Sequence, residues 1–245
     1  MVASSQPLAS LAGITVLEQG GSAADAAVAC AAALQVTQPC STGLGGDAFM
    51  LYRDAASGEV HALNGSGRSA RALTHERASA IATAGGGIDE QLRLPALHPD
   101  TVTVPGAPAA WADTLSRFGR LKRAAVVEPA LRLARDGFAV APVTGGWWAR
   151  GAERQLSRHR HGAELMIDGR GPHPGEVFQN PGLAAVLEAF AESGAHPFYT
   201  GWIARAIVAE MEHEGGALRG EDLADHRSEW VEPISMSYRG SRLWE

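Results

Sequence analysis

Cysteine is scarce in this chain. Two of them, Cys30 and Cys40, are spread over 245 residues, too few for a disulfide framework or a thiolate metal site. Basic residues are not in excess: the formal net charge is −6, which argues against a nucleic-acid surface, since phosphate binding needs clustered Lys and Arg. Only Arg150 to His161 is locally basic, and a solvated face accounts for it. Long apolar runs are missing as well. Ala23 to Val36 is interrupted by Asp25 and falls short of the ~20 residues that cross a bilayer; a buried core helix is the expectation. Internal repeats, low-complexity tracts and linkers are absent. The remainder, 45% hydrophobic and 20% charged, is ordinary globular composition and enough for a sizeable core in one domain.

Several chemistries fail on context. A dinucleotide fingerprint follows a strand and opens a helix, whereas Gly43-Leu44-Gly45-Gly46 precedes a strand. A nucleophile elbow Gly-x-Ser-x-Gly is not present, because Gly65-Ser66-Gly67 is too tight. His159 and His161 lie two apart, would face different ways on a helix, and have no second pair at metal spacing; a solvated loop is the simpler reading. Glu153 and Glu164 form no supported carboxylate pair.

The chain is organised around Gln38 to Arg68. Three glycines in four positions let backbone pass where a Cβ would clash. Ala48 to Tyr52 then reads as a buried strand, Asp54 to Gly58 as a turn, and Glu59 to Leu63 as the antiparallel return. The hairpin opens into Asn64-Gly65-Ser66-Gly67-Arg68, a polar loop ending in a cation. Arg68 carries a planar fork that matches a carboxylate bidentately; the plainer reading pairs it with a surface Asp or Glu, to little effect.

Elsewhere, Pro7 to Gln19 predicts a first helix stopped by Gly20-Gly21. Ser22 caps a second, Ala23 to Gln35, with Asp25 suited to its positive end. Residues 72–100 are ambiguous, with a loop at Thr83 to Gly87. Helices are expected over Ala107 to Arg117, from Pro129 through Asp136, over Leu183 to Glu192 and over Trp202 to Glu214, with a short turn at Glu221 to His226. Val231 to Tyr238 alternates as a half-buried strand that turns at Arg239-Gly240 into Ser241 to Glu245. So short a hairpin is marginal without further partners, so the chain is expected to be cut from a longer one.

Seven motifs taken in order resemble the large-subunit portion of γ-glutamyltranspeptidases. They comprise Met1 to Ser5 with Pro7-Leu8-Ala9, Gly20 to Val28, the Gln38 to Arg68 stretch, Pro105-Gly106, Glu128-Pro129-Ala130 with Leu133 to Phe138, Phe198-Tyr199-Thr200-Gly201, and Glu221 to Ala224 with Tyr238-Arg239-Gly240. The resemblance implies an α+β fold of the N-terminal-nucleophile hydrolase type, an αββα sandwich. Residues 1–245 would then be a single, incomplete domain supplying helices and some strands. It also implies a γ-glutamyltransferase or hydrolase acting on γ-glutamyl compounds such as glutathione. A threonine exposed by self-cleavage of a proenzyme would be the nucleophile, and no catalytic residue is expected within this chain.

Residue by residue, the usual Asp-Gly-Arg-Glu-Thr-Ala-Pro form places Ser66 at the arginine position and Arg68 two residues later. Arg68 and Ser66 are therefore the substrate-binding candidates, Arg68 the stronger. The Gly-Ser-Gly-Arg form resembles a divergent branch that includes amidohydrolases of other small acids such as oxamate. An acylase of that kind, or a non-catalytic remnant that binds without reacting, is the alternative. No cofactor or metal is implied. The expected partners are a small-molecule substrate and the C-terminal small subunit of the same proenzyme, with no nucleic acid and no membrane. Met1 leads directly into a family motif rather than into a basic and apolar leader, so a cytoplasmic location is expected.

Overall fold

A computed structural model describes residues 1–84 and 93–245. In chain order the elements are α1 (Pro7–Glu18), α2 (Ala23–Thr37), β1 (Ala48–Arg53), β2 (Val60–Gly65), α3 (His75–Ala84), α4 (Ala107–Phe118), α5 (Arg123–Asp136), β3 (Phe138–Ala139), α6 (Pro142–Arg154), β4 (Val177–Phe178), α7 (Pro181–Ser193), α8 (His196–Tyr199), α9 (Trp202–His213), α10 (Gly220–Ala224), β5 (Glu229–Val231), β6 (Ser235–Tyr238) and β7 (Ser241–Trp244). Two compact units share them, one of residues 1–43 and 112–194, the other of residues 44–111 and 195–245. Among the described residues no helix is long and apolar enough to cross a membrane.

The first unit is helical. Its α2 is nearly all small residues, so neighbours approach closely, and it packs on α1 and α5 while α5 packs on α7. Ser22 caps α2 reciprocally: its Oγ accepts from Asp25 N–H at 3.1 Å, and Asp25 Oδ2 accepts from Ser22 N–H at 2.7 Å. Asp25 does more than complement a helix dipole. Fully buried, it also accepts Arg120 N–H at 2.8 Å, fixing the turn after α4 against the start of α2. Cys30 is buried in this helix, and burial raises its thiol pKa against a smaller opposing hydrogen bond from Ser4. The core is Val16, Ala29, Ala33, Val126, Val127, Ala130, Leu187 and Phe190.

One expectation changes here, and two features appear that the sequence did not announce. Pro129 lies inside α5 rather than starting it; the helix begins six residues earlier at Arg123, where Lys122 C=O accepts the first bonds from Ala125 and Val126 N–H. Residues 142–154, which carried no expectation, form α6 with Pro142 in its first turn, where a missing N–H costs nothing. Phe138 and Phe178, opposite each other across the β3–β4 pair, pack edge to face.

The second unit carries the hairpin. β1 pairs antiparallel with β2 in the register Ala48↔Gly65 to Arg53↔Val60, and β2 pairs on its other side with β5, with Leu63↔Trp230 and Asn64↔Glu229. Expected to be buried, β1 instead alternates: Phe49 and Leu51 point out, 70% and 48% exposed, so the strand covers the interior with one face only. The expected half-buried strand at 231–238 is also different. Pro233 cannot donate to a ladder, and the segment divides into β5 and β6, whose residues are all exposed. β6 and β7 form their own hairpin through Arg239 and Gly240, both at positive φ. Within the ambiguous stretch, α3 takes up Thr83 and Ala84 of the anticipated loop; Gly85 to Gly87 lie outside the described residues.

Candidate functional site

The second unit also determines where Arg68 goes. β2 ends at Gly65, and the chain turns there because three separate segments meet without side chains between them. Gly106 N–H and Ala107 N–H both donate to Gly46 C=O, at 3.0 and 2.9 Å, anchoring the start of α4 to the glycine bend before β1. A Cβ on Gly67 would run into the Val104 carbonyl, and one on Gly106 into the Gly65 carbonyl. Val104 N–H in turn donates to Arg68 C=O at 3.0 Å. Tyr199, at the end of α8, closes the arrangement from below: its hydroxyl donates to Pro105 C=O at 2.7 Å and accepts Ala109 N–H at 3.1 Å.

The loop's polar groups are engaged locally. Ser66 N–H donates to Asn64 Oδ1 at 2.9 Å. Asp47, directly after the glycine bend, accepts Gly67 N–H at 2.7 Å on Oδ1 and the Ser66 hydroxyl at 3.4 Å on Oδ2. Ser66 is thus part of the loop's own network, its hydroxyl turned to Asp47.

Arg68 comes out into solvent. Its side chain is 84% exposed, and Nη2 donates to Glu229 Oε1 at 2.8 Å, with Glu229 itself 54% exposed. The β2–β5 register explains the pairing: Glu229 sits opposite Asn64, four residues before Arg68. Beside Arg68 lies a cleft of about 160 Å³ lined by Arg71, Val104, Asp222, Asp225 and His226 among others. Arg71 pairs with Asp225 there, and Arg71 N–H donates to Asp222 Oδ1 at 3.0 Å. His226, buried, stacks on the Tyr199 ring at 5.1 Å between centroids. The site is therefore a loop, fastened by backbone hydrogen bonds, that presents the Arg68 guanidinium at the edge of a cleft whose Arg71 is paired with Asp225, an arrangement that can bind a small carboxylate and orient it.

Both sequence candidates, Arg68 and Ser66, lie on this loop. Sequence reasoning assigned no role to Asp47, Glu229 or Tyr199. Asp47 follows three glycines at the mouth of a strand, a signal that could have been read. Glu229 had none, since its place depends on a strand pairing with β2, and it meets Arg68 across 161 residues of sequence.

The family model described as gamma-glutamyltranspeptidase matches residues 9–245. The chain belongs to the γ-glutamyltranspeptidase family. Among curated family proteins it is 37% identical to a glutathione hydrolase-like proenzyme of Bacillus subtilis, over all of this chain and 45% of that protein. It is 34% identical to the glutathione hydrolase proenzyme of Escherichia coli, over all of this chain and 41% of that protein. The chain thus spans less than half the length of these curated relatives. In structure it is similar to a cephalosporin acylase from Bacillus halodurans (TM-score 0.87, 41% identity, 98% of this chain and 44% of that one). It is also similar to the Helicobacter pylori γ-glutamyltranspeptidase (TM-score 0.88, 30% identity, 100% of this chain and 68% of that one). The mixed helix and strand content and these family structures bear out the expected α+β, N-terminal-nucleophile hydrolase fold.

Proposed function

We propose that this chain is the N-terminal part of a γ-glutamyltranspeptidase-like proenzyme that cleaves an amide bond of a small, carboxylate-bearing substrate. The observation that carries the reading is Arg68, fixed by its backbone on the loop after the hairpin and displayed beside the cleft lined by Arg71, Asp222 and Asp225. In this reading a threonine from the C-terminal portion of the same polypeptide attacks the amide carbonyl, with its own α-amino group as base. Preorganised N–H and O–H donors hold the oxyanion, and the acyl-enzyme passes to water or to an amine. The second compact unit supplies recognition: Arg68 grips the substrate carboxylate through two N–H donors, which sets the distance from carboxylate to scissile bond. The C-terminal small subunit is the partner this requires, and the cytoplasm the proposed location.

A second reading has support of its own. Over the aligned part, 44% of each acylase, this chain is 41% identical to a cephalosporin acylase and 35% identical to an acylase proenzyme of Pseudomonas. An acyl group with a terminal carboxylate and no α-amino group would use the same Arg68. γ-Glutamyl anilide and an anilide of a matching amine-free diacid separate the two by their kcat/KM.

The test of Arg68 is kinetic, on the complete proenzyme. Arg68→Ala is expected to lower kcat/KM for a carboxylate substrate about 30-fold and to leave its neutral amide analogue unaffected. Arg68→Lys should raise KM despite keeping the charge, because an ammonium lacks the planar fork. Ser66→Ala should change KM less than about threefold, as one neutral hydrogen bond is lost. An Arg68→Ala enzyme that keeps its preference for the carboxylate would reduce Arg68 to a surface ion-pair partner.

A further inference from the structure

We propose that Asp47 is a positioning residue for substrate recognition, its carboxylate holding the Gly65–Arg68 loop in the shape that aims Arg68. The inference rests on the reading of Arg68 as the carboxylate anchor. Among the described residues, the side-chain partner of Arg68 is Glu229, in an exposed pair, and exposed pairs hold geometry weakly. The direction of its side chain is therefore set by the backbone from which it springs. That backbone is fastened at two points. Val104 N–H holds the Arg68 carbonyl at 3.0 Å, and Asp47 Oδ1 holds Gly67 N–H, one residue earlier, at 2.7 Å.

Asp47 has a firm base from which to act. The Gly46 carbonyl immediately before it accepts two N–H groups from the start of α4, and β1 begins at the residue after it. A Cβ built on Gly106 would collide with the Gly65 carbonyl and stand 3.1 Å from Asp47 Oδ1, so the missing side chain lets the loop carbonyl and the carboxylate pack against Gly106. The same carboxylate spans the loop, with Oδ2 taking the Ser66 hydroxyl at 3.4 Å. An N–H bound to a carboxylate is stronger than one bound to a neutral acceptor. With Gly65 and Gly67 on either side of Ser66, the loop has no side-chain packing of its own to replace that bond. Asp47 touches no substrate in this account; it acts through Arg68.

The experiment is a double-mutant cycle on the complete proenzyme, read with a carboxylate substrate and with its neutral amide analogue. Asp47→Ala is expected to raise KM for the carboxylate substrate about 10- to 30-fold, the loss of one charge-assisted bond. Its kcat should stay within about threefold, with the neutral analogue unchanged. Asp47→Asn keeps a neutral acceptor and should recover most of the loss. In an Arg68→Ala background Asp47→Ala should add nothing, since the two changes act on one contact. If Asp47→Ala does not fold, Asp47→Ser, polar but too short to reach Gly67, carries the same expectation.

Equal damage to both substrates, accompanied by a lower Tm, means that Asp47 only supports the fold, and the inference is overturned. It is also overturned if Arg68→Ala abolishes carboxylate preference while Asp47→Ala and Asp47→Ser leave it intact; the recognition site then stands without it. If Arg68→Ala itself leaves the preference intact, the underlying reading of the site fails, and this inference with it.

Discussion

In the proposed reading of Arg68, two carboxylates compete for one guanidinium. Glu229 holds it at 2.8 Å, yet a pair this exposed contributes only about 0–1 kcal/mol. In the proposed reading, a substrate carboxylate that engages two N–H donors of Arg68 displaces it. Removing the competing charge with Glu229→Gln should lower KM for a carboxylate substrate about two- to fivefold, the equivalent of such a weak pair, and leave a neutral analogue unaffected. Steady-state kinetics on the complete proenzyme checks this. A higher KM would instead make Glu229 a strut that keeps Arg68 in place. The Arg68 candidate was legible as a cation on a glycine loop, whereas its competitor was not, because a loop's sequence carries no record of which strand lies across the sheet.

Among the elements, α3 is tied to the rest of its unit through Arg77, which donates to the Gly215 carbonyl at 2.9 Å and to a buried carboxylate, Asp100. Asp100 accepts Arg77 Nε–H at 2.6 Å and Ala217 N–H at 2.6 Å, with its own side chain fully buried. Burial pushes the Asp100 pKa up, but the Arg77 guanidinium and the Ala217 N–H outweigh it and hold the carboxyl below its usual value. A carboxyl whose pKa is lower folded than unfolded contributes stability at pH above the unfolded value, about 4. That contribution fades as pH falls through the folded value. In the other unit Glu176, paired with Arg170 and held to about 2, acts in the same direction. Tm should therefore fall between about pH 5 and 2. Asp100→Ala should cost on the order of 2–3 kcal/mol at neutral pH, as a buried charged contact is lost, and should flatten that acid limb. A Tm profile unchanged by the substitution would remove Asp100 from the account.

Elements with strong punctuation could be read from sequence. Ser22 begins α2, Gly20, Gly137 and Gly194 stand just past α1, α5 and α7, and the Asp54 to Gly58 turn joins β1 to β2. The failures have physical reasons. α6 holds Gly145, Gly146 and Gly151, poor helix formers, and is formed because Trp148 is buried with its indole N–H donating to Leu165 C=O at 2.8 Å. Pro129 looks like a helix start because only the tertiary packing of α5 on α2 and α7 offsets its missing hydrogen bond.

For the whole molecule, the outward faces are the informative feature. Phe49 and Leu51 on β1, Trp230 and Val231 on β5, Met236 on β6, and Leu243 and Trp244 on β7 are all exposed, more large apolar surface than scattered residues on a monomer explain. These faces belong to the unit that carries Arg68, and the relatives are more than twice as long as this chain. We take the C-terminal portion of the proenzyme to cover them and to bring the nucleophile.

The most direct measurement is release of product from γ-glutamyl anilide by the purified 245-residue chain, alone and co-expressed with the threonine-led C-terminal segment. The account predicts background rates for the chain alone, since without a nucleophile the covalent route is closed. Co-expression should yield turnover that Arg68→Ala suppresses. Turnover by the chain alone, or turnover on co-expression that is indifferent to Arg68, would contradict it.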